Sequence, residues 1–287
     1  MQAFMSLNYA GKVGDNFAWG AGPVVALQSF KANGLVMFSA YTQTFADAFL
    51  GNGQGAPVPY LTNNGHDTST GFGVSAGIWT GNDRLSFGLA YQSKISMSEF
   101  DDYADLYAQR GGFDIPSTLK AGVSFMPSDS AILNFDIEHI GYSDIDSVAN
   151  PIMNMLTGCF TANPQVAPAT SGCLGGPSGA GFGWDDMTVY KVGVALKSNE
   201  KNTWRIGYSY GEQPIPNSEV LFNILAPGVM EQHITFGWTG ERANGSVMSV
   251  SFMYAPEKTV TGANTFDPFQ MIELKMSQMD LEFAYRF

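Results

Sequence analysis

The chain has 287 residues, 45% hydrophobic, 13% aromatic and 14% charged, with 33 glycines and a net charge of −12. Mean hydropathy is −0.03 and no apolar run reaches the ~20 residues of a spanning helix, which excludes a helical membrane protein. The apolar and aromatic content excludes a disordered chain, and the acidic balance excludes nucleic acid as a partner, because phosphate binding needs a basic surface.

In chain order, Ala3, Met5, Leu7 and Tyr9 alternate with Phe4, Ser6 and Asn8, and a turn follows at 11–16. The next strand puts Phe17, Trp19, Ala21, Val25 and Leu27 on one face. Alternation fails over a long loop, 33–70, and resumes with Phe72, Val74, Ala76 and Ile78 opposite Gly71, Gly73, Ser75 and Gly77. After a tight turn at 80–83, period two predicts a single strand over 85–97. Leu85, Phe87, Leu89, Tyr91, Ile95 and Met97 share one side of it, and Lys94 lies on the other. A second loop spans 98–116. Leu119, Ala121, Val123 and Phe125, then Leu133, Phe135 and Ile137, flank a turn at 126–130. The longest loop, 143–186, holds Cys159 and Cys173. Tyr190, Val192, Val194 and Leu196 precede a turn at 197–202, and Trp204, Ile206, Tyr208 and Tyr210 follow it. A loop at 211–230 leads to Ile234, Phe236 and Trp238, a turn at 241–245 to Met248, Val250, Phe252 and Tyr254, and a loop at 256–270 to the last strand. There Met279, Leu281, Phe283, Tyr285 and Phe287 alternate with Asp280, Glu282, Ala284 and Arg286.

This pattern predicts an all-β, antiparallel transmembrane β-barrel with tight turns at one end and large loops at the other. In a soluble sandwich the second face of each strand would meet water and carry Lys, Glu and Thr. Here it is Gly, Ser and Ala with sparse charge, as a crowded bore requires. The apolar faces carry no central charge, in keeping with the ~2–4 kcal/mol cost of Arg or Lys facing lipid. About eleven strands are counted. Single-chain bacterial barrels have an even number, and no signal-peptide pattern opens the chain. The expectation is therefore one barrel domain over 1–287 that lacks its first strands. The ending at Phe287 resembles the closing strand of outer-membrane barrels, which implies recognition by the barrel-assembly machinery and contact with outer-membrane lipid and lipopolysaccharide.

Phe113-Asp-Ile-Pro-Ser117, Gly181-Phe-Gly-Trp-Asp-Asp186 and Arg205-Ile-Gly-Tyr-Ser209 are followed by Gln213-Pro-Ile-Pro216, Asn223-Ile-Leu-Ala-Pro-Gly228 and Ala284-Tyr-Arg-Phe287. In this order and spacing the set resembles the FadL family of outer-membrane transporters for long-chain fatty acids and related hydrocarbons. The resemblance implies a fourteen-stranded barrel with an N-terminal hatch, of which this chain would supply roughly the last eleven strands. It also implies an initial-capture site between two loops.

Candidate site residues follow. Phe38, Tyr41, Phe45 and Phe49 in the first loop, and Phe100, Tyr103, Leu106 and Tyr107 in the second, recur at helical spacing. Two such stripes could form an acyl groove, each buried CH₂ contributing about 0.8 kcal/mol, or could pack on one another as a loop core. Lys94, Lys120, Asp136, Glu138, Lys191 and Arg205 fall on inner faces, where they meet a ligand carboxylate or brace the wall as cross-strand pairs. Cys159 and Cys173 close a loop of about 15 residues if bonded, worth roughly 3 kcal/mol, or remain free thiols. His66, His139 and His233 have no ligand spacing, so neither a metal nor another cofactor is expected. The expected function is passive outer-membrane transport of a long-chain fatty acid or other hydrophobic small molecule. A general porin for polar solutes and, further off, an outer-membrane lipase are the alternatives.

Overall fold

The computed structural model describes residues 1–160, 170–242 and 244–287. The described strands form one antiparallel sheet. They are β1 (Gln2–Ser6), β2 (Tyr9–Val13), β3 (Phe17–Phe30), β4 (Asp67–Gly81), β5 (Leu85–Gln92), β6 (Ser96–Met97), β7 (Ser117–Ser128), β8 (Ala131–Gly141), β9 (Met187–Asn199), β10 (Asn202–Gly211), β11 (Gln232–Glu241), β12 (Val247–Asn264) and β13 (Asp267–Arg286). β1 and β2 both pair with β3, and β5 and β6 both pair with β4, so the hydrogen-bonded path is eleven strands wide, as the alternation implied.

Antiparallel register turns each strand's alternation into continuous rows. Val194, Ile206, Phe236, Phe252 and Leu281 stand side by side on one face, and Leu196, Trp204, Trp238, Val250 and Phe283 form the next row. These side chains are partly to largely exposed, Ile206 to 57%. Rings collect at the two ends of this face. Trp19, Trp204 and Trp238 lie toward the short turns, and Tyr91, Tyr190, Tyr208 and Tyr254 toward the long loops. An apolar band between two aromatic girdles matches the profile of a bilayer. The opposite face carries rungs such as Lys191–Ser209–His233 and Gly193–Gly207–Thr235.

The sheet is rolled. Phe266, at the tip of the β12–β13 hairpin, packs against Phe38 and Tyr41 of the β3–β4 connection, with ring centroids 6.4 and 5.6 Å apart. Elements near opposite ends of the strand order thus meet above one rim.

Three sequence expectations are corrected. The strand predicted over 85–97 is broken at 93–95. β5 pairs Gln92 with Ser75, whereas β6 pairs Met97 with Gly71, a slip of one residue. Because side chains alternate, one extra residue exchanges the faces. Leu85, Phe87, Leu89 and Tyr91 point outward, but Ile95 and Met97 turn inward and bury against Val24, Ala26 and Ile115. Lys94 therefore sits in the irregular segment rather than on a regular inner face. Secondly, 256–270 is a hairpin rather than a loop: β12 and β13 run on to Asn264 and Asp267. Their register also slips by one residue, between Ala255 and Lys258. Past that slip Val260 and Leu274 are buried inward against Ile215, Val220 and Val229. Finally, β4 begins at Asp67, four residues before the strand start expected at Gly71.

Lysine placed at Ile206, mid-strand on the outward face, is expected to cost about 2–4 kcal/mol. Ser251→Lys, on the inner face beside Glu282, is expected to change stability by about 0.5 kcal/mol or less. Reversible denaturant unfolding from lipid vesicles measures both.

Candidate functional site

Four long connections, 31–66, 98–116, 142–186 and 212–231, rise from the same rim and lock together. A backbone bridge joins the first to the third: Gln43 N donates to Leu174 O at 2.8 Å and Leu174 N to Tyr41 O at 2.9 Å. The Cys159–Cys173 disulfide packs on Ala46 beside this bridge. Thr44 ties the first to the second: its hydroxyl donates to Asp105 at 2.6 Å and accepts from Arg110 at 3.2 Å, while Arg110 reaches the same Asp105 oxygen at 2.7 Å. Gln109 and Arg110 adopt left-handed backbone (φ 56° and 61°), which presents their amides to Gly176 and Gly175. The fourth is fastened through Asn223, which accepts from Trp184 Nε1 at 2.6 Å and donates to Phe182 O at 2.7 Å.

These loops enclose a cavity of about 610 Å³ over the barrel mouth, within the range of ligand sites. One wall is the end of β3 and the chain after it, Gln28 to Leu35, with Phe38. The others are Phe100, Leu106, Tyr107 and Phe113 from the second connection, Leu174 and Phe182 from the third, and Leu221, Phe222 and Leu225 from the fourth. Burial, with Tyr103 alongside, pushes the Tyr107 phenol far above its ordinary range, so this wall carries no charge at any physiological pH.

The two predicted stripes divide. An α-helix does form over Gln43–Asn52 with Thr42 as its N-cap, but Phe38 and Tyr41 lie on a preceding 3₁₀ turn, Val36–Tyr41. Phe45 and Phe49 stack on each other, and Phe49 meets Phe160 beside the disulfide; neither lines the cavity. The second stripe is not helical. Asp101–Tyr103 is one 3₁₀ turn, and Phe100, Tyr103 and Tyr107 fold inward around Phe30. Tyr103 is fully buried and acts as a tie, its hydroxyl donating to Gly65 O at 2.6 Å and accepting from Ala32 N at 3.1 Å. Of the eight aromatic and leucine candidates, Phe38, Phe100, Leu106 and Tyr107 line the cavity. Sequence spacing missed Phe113, Phe182 and Phe222. The first two lie inside the motifs at 113–117 and 181–186, but nothing in their spacing said that they meet Phe100.

Among the inner charges, Glu138 receives both Lys120 (2.8 Å) and Lys191 (2.7 Å). Asp136 lies across from Lys191 in register. Arg205 donates to Thr239 at 2.9 Å, and Lys94 pairs with Asp114 at 3.2 Å. None of these six lines the cavity. No group of His, Cys, Asp and Glu suited to a metal is found among the described residues.

A family of outer membrane protein transport proteins (OMPP1/FadL/TodX) matches residues 2–282. The chain belongs to this family. Its members are bacterial outer-membrane β-barrels that act as transport channels for hydrophobic compounds, not enzymes, so the lipase alternative falls. Solved structures share the fold at low identity. The toluene transporter TodX of P. putida is 16% identical with a TM-score of 0.57, the match covering 99% of this chain and 68% of that one. A FadL homologue of Pseudomonas aeruginosa is 15% identical with a TM-score of 0.57, covering 99% and 66%. The toluene transporter TbuX of Ralstonia pickettii is 16% identical with a TM-score of 0.54, covering 99% and 67%. The chain thus spans about two thirds of each. A comparison with the curated proteins finds no match.

In this FadL/TodX-family chain the disulfide closes a loop within the third connection and packs it on Ala46 of the first. Replacing Cys159 and Cys173 with serine is expected to remove about 3 kcal/mol of loop restraint. Limited proteolysis should then cut within 142–186 much faster, while the barrel keeps its heat-modifiable gel mobility.

Proposed function

We propose that this chain forms the wall and ligand-collecting mouth of a passive outer-membrane transporter for apolar molecules of fatty-acid or hydrocarbon type. The cavity above the barrel carries the reading. It is walled mainly by rings and aliphatic side chains from four loops, and among the described residues Lys31 is the one charged side chain that lines it. An apolar chain entering it gains about 0.8 kcal/mol per buried CH₂, enough to collect a long tail without an ion pair. Entry and release then follow occupancy of the cavity, and net flux follows the substrate gradient. The names of the related toluene transporters suit the same chemistry.

The inner charges fit a brace better than a carboxylate site, since Glu138 already engages two lysines and lies outside the cavity. Residues 1–287 are read as a single barrel domain because all described strands share one sheet. The exposed outward row of β13, ending at Phe287, is the surface proposed to meet membrane lipid and the barrel-assembly machinery. The polar outward face of the β12–β13 extension, with Thr259, Thr261, Glu273 and Lys275, suits the lipopolysaccharide layer. A general porin would need an open, polar mouth in place of this interlocked apolar cap.

Substituting Asp at Leu106 or Phe38 is expected to weaken binding of a fluorescent long-chain fatty acid at least tenfold, because the carboxylate must be desolvated against the tail. Phe49→Asp should leave binding within about twofold, since Phe49 is 45% exposed and outside the cavity. Equal loss in all three variants would reject the cavity as the collecting site.

A further inference from the structure

We infer that Asn223 holds the cavity open between the third and fourth connections and thereby sets the longest apolar chain it accepts. The inference rests on the cavity being the ligand site and assigns one positioning residue the control of substrate length. Asn223 is fully buried, and its side-chain amide makes three hydrogen bonds. Oδ1 accepts from Trp184 Nε1 at 2.6 Å, and Nδ2 donates to Phe182 O at 2.7 Å and to Glu219 O at 2.8 Å. The first two cross to the third connection. Two cavity rings flank this knot: Phe182, whose carbonyl it holds, and Phe222, the residue before it. Phe182 stands between Gly181 and Gly183, and Gly183 is in left-handed backbone (φ 67°), so neither sequence neighbour has a side chain to fix its direction. The fourth connection is also held nearby, where Glu219 accepts from Ile152 N at 2.8 Å. Loss of Asn223 therefore frees the segment 221–226 and not the whole connection.

The knot needs two donors and an acceptor from one short, planar group, which a primary amide supplies. Leucine has nearly the same volume but leaves three buried polar groups unpaired. They regain partners when 221–226 shifts, and its released apolar side chains then close on the cavity to hide their surface. The far wall does not depend on Asn223. Phe30, Phe100 and Tyr107 pack on one another there, and Tyr103 pins that core through Gly65 O and Ala32 N. Phe182 borders the same core, so Asn223 governs how far Leu221, Phe222 and Leu225 stand from it. A short chain keeps its place against the fixed rings, whereas a long one also needs the space that the knot maintains.

The test uses the purified protein in detergent micelles and calorimetric titration with octanoate, dodecanoate and hexadecanoate, each corrected for its micellar partition. All three carry the same carboxylate, so Lys31, the charged side chain of the lining, meets the same head throughout and only tail length varies. Each buried CH₂ is worth about fourfold in affinity, and the wild type should bind hexadecanoate at least about a hundredfold more tightly than octanoate. Asn223→Leu should leave octanoate within about twofold and weaken hexadecanoate at least about tenfold, while the barrel keeps its heat-modifiable gel mobility. Should Asn223→Leu fail to insert, Asn223→Asp keeps the acceptor for Trp184, loses both donated bonds and supplies the same comparison. If the variant retains the wild-type dependence on chain length, or loses all three ligands equally, Asn223 does not set length and the inference fails while the cavity stands. If the wild type shows no gain with chain length, and Leu106→Asp also leaves hexadecanoate binding unchanged, the site itself is wrong.

Discussion

The structure depends on parity: in an antiparallel sheet a residue's odd or even place in its strand decides whether it meets lipid or the bore. Inside hydrocarbon every backbone amide must be paired, and a rolled sheet pairs them strand to strand. That leaves side-chain direction as the freedom the sequence controls. The rows from Val194 to Leu281 and from Leu196 to Phe283 are the outcome, with Gly193, Gly207 and Thr235 behind them.

Both register slips at the rim serve the same constraint. Within the membrane a strand needs its apolar side outward. Beyond it, water is outside and the packed loops are inside, so the requirement inverts. One extra residue at 93–95 turns Ile95 and Met97 toward the interior. The slip after Ala255 does the same for Val260, and the outward residues there become Thr259 and Thr261. β13 meets the same inversion through composition: Met279 and Leu281 face outward in the span, Glu273 and Lys275 above it, while Leu274 packs inward. The bulges therefore mark where the wall leaves the bilayer and begins to hold the cap.

The cap is built from the same kind of residue as the lipid-facing rows, used differently. Phe30, Phe100, Tyr103 and Tyr107 form a small core of tilted and edge-on rings, and polar ties at Asp105, Asn223 and Glu219 fix the loops around it. Rigid anchorage lets a cavity persist between them. Loops held only by apolar contact would close onto the space to remove their exposed surface.

Fold class, strand count and the outward identity of nearly every strand residue were readable from the amino-acid sequence, because period-two alternation is local and leaves its mark over as few as five residues. The family motifs were readable for the same reason. The slips were not: Ile95 and Met97 continue the alternation of Leu85 to Tyr91 without a break, and only pairing with β4 reveals the extra residue. Helical spacing likewise suggested two equivalent stripes, yet Phe45 and Phe49 stacked on each other beside Phe160, and Phe100 and Tyr107 went to the cavity. The cavity joins residues from 28 to 225 across four loops, and no local period encodes which loops meet. The knot at Asn223 was hidden too, since an asparagine in a loop looks like any other until the chain around it closes.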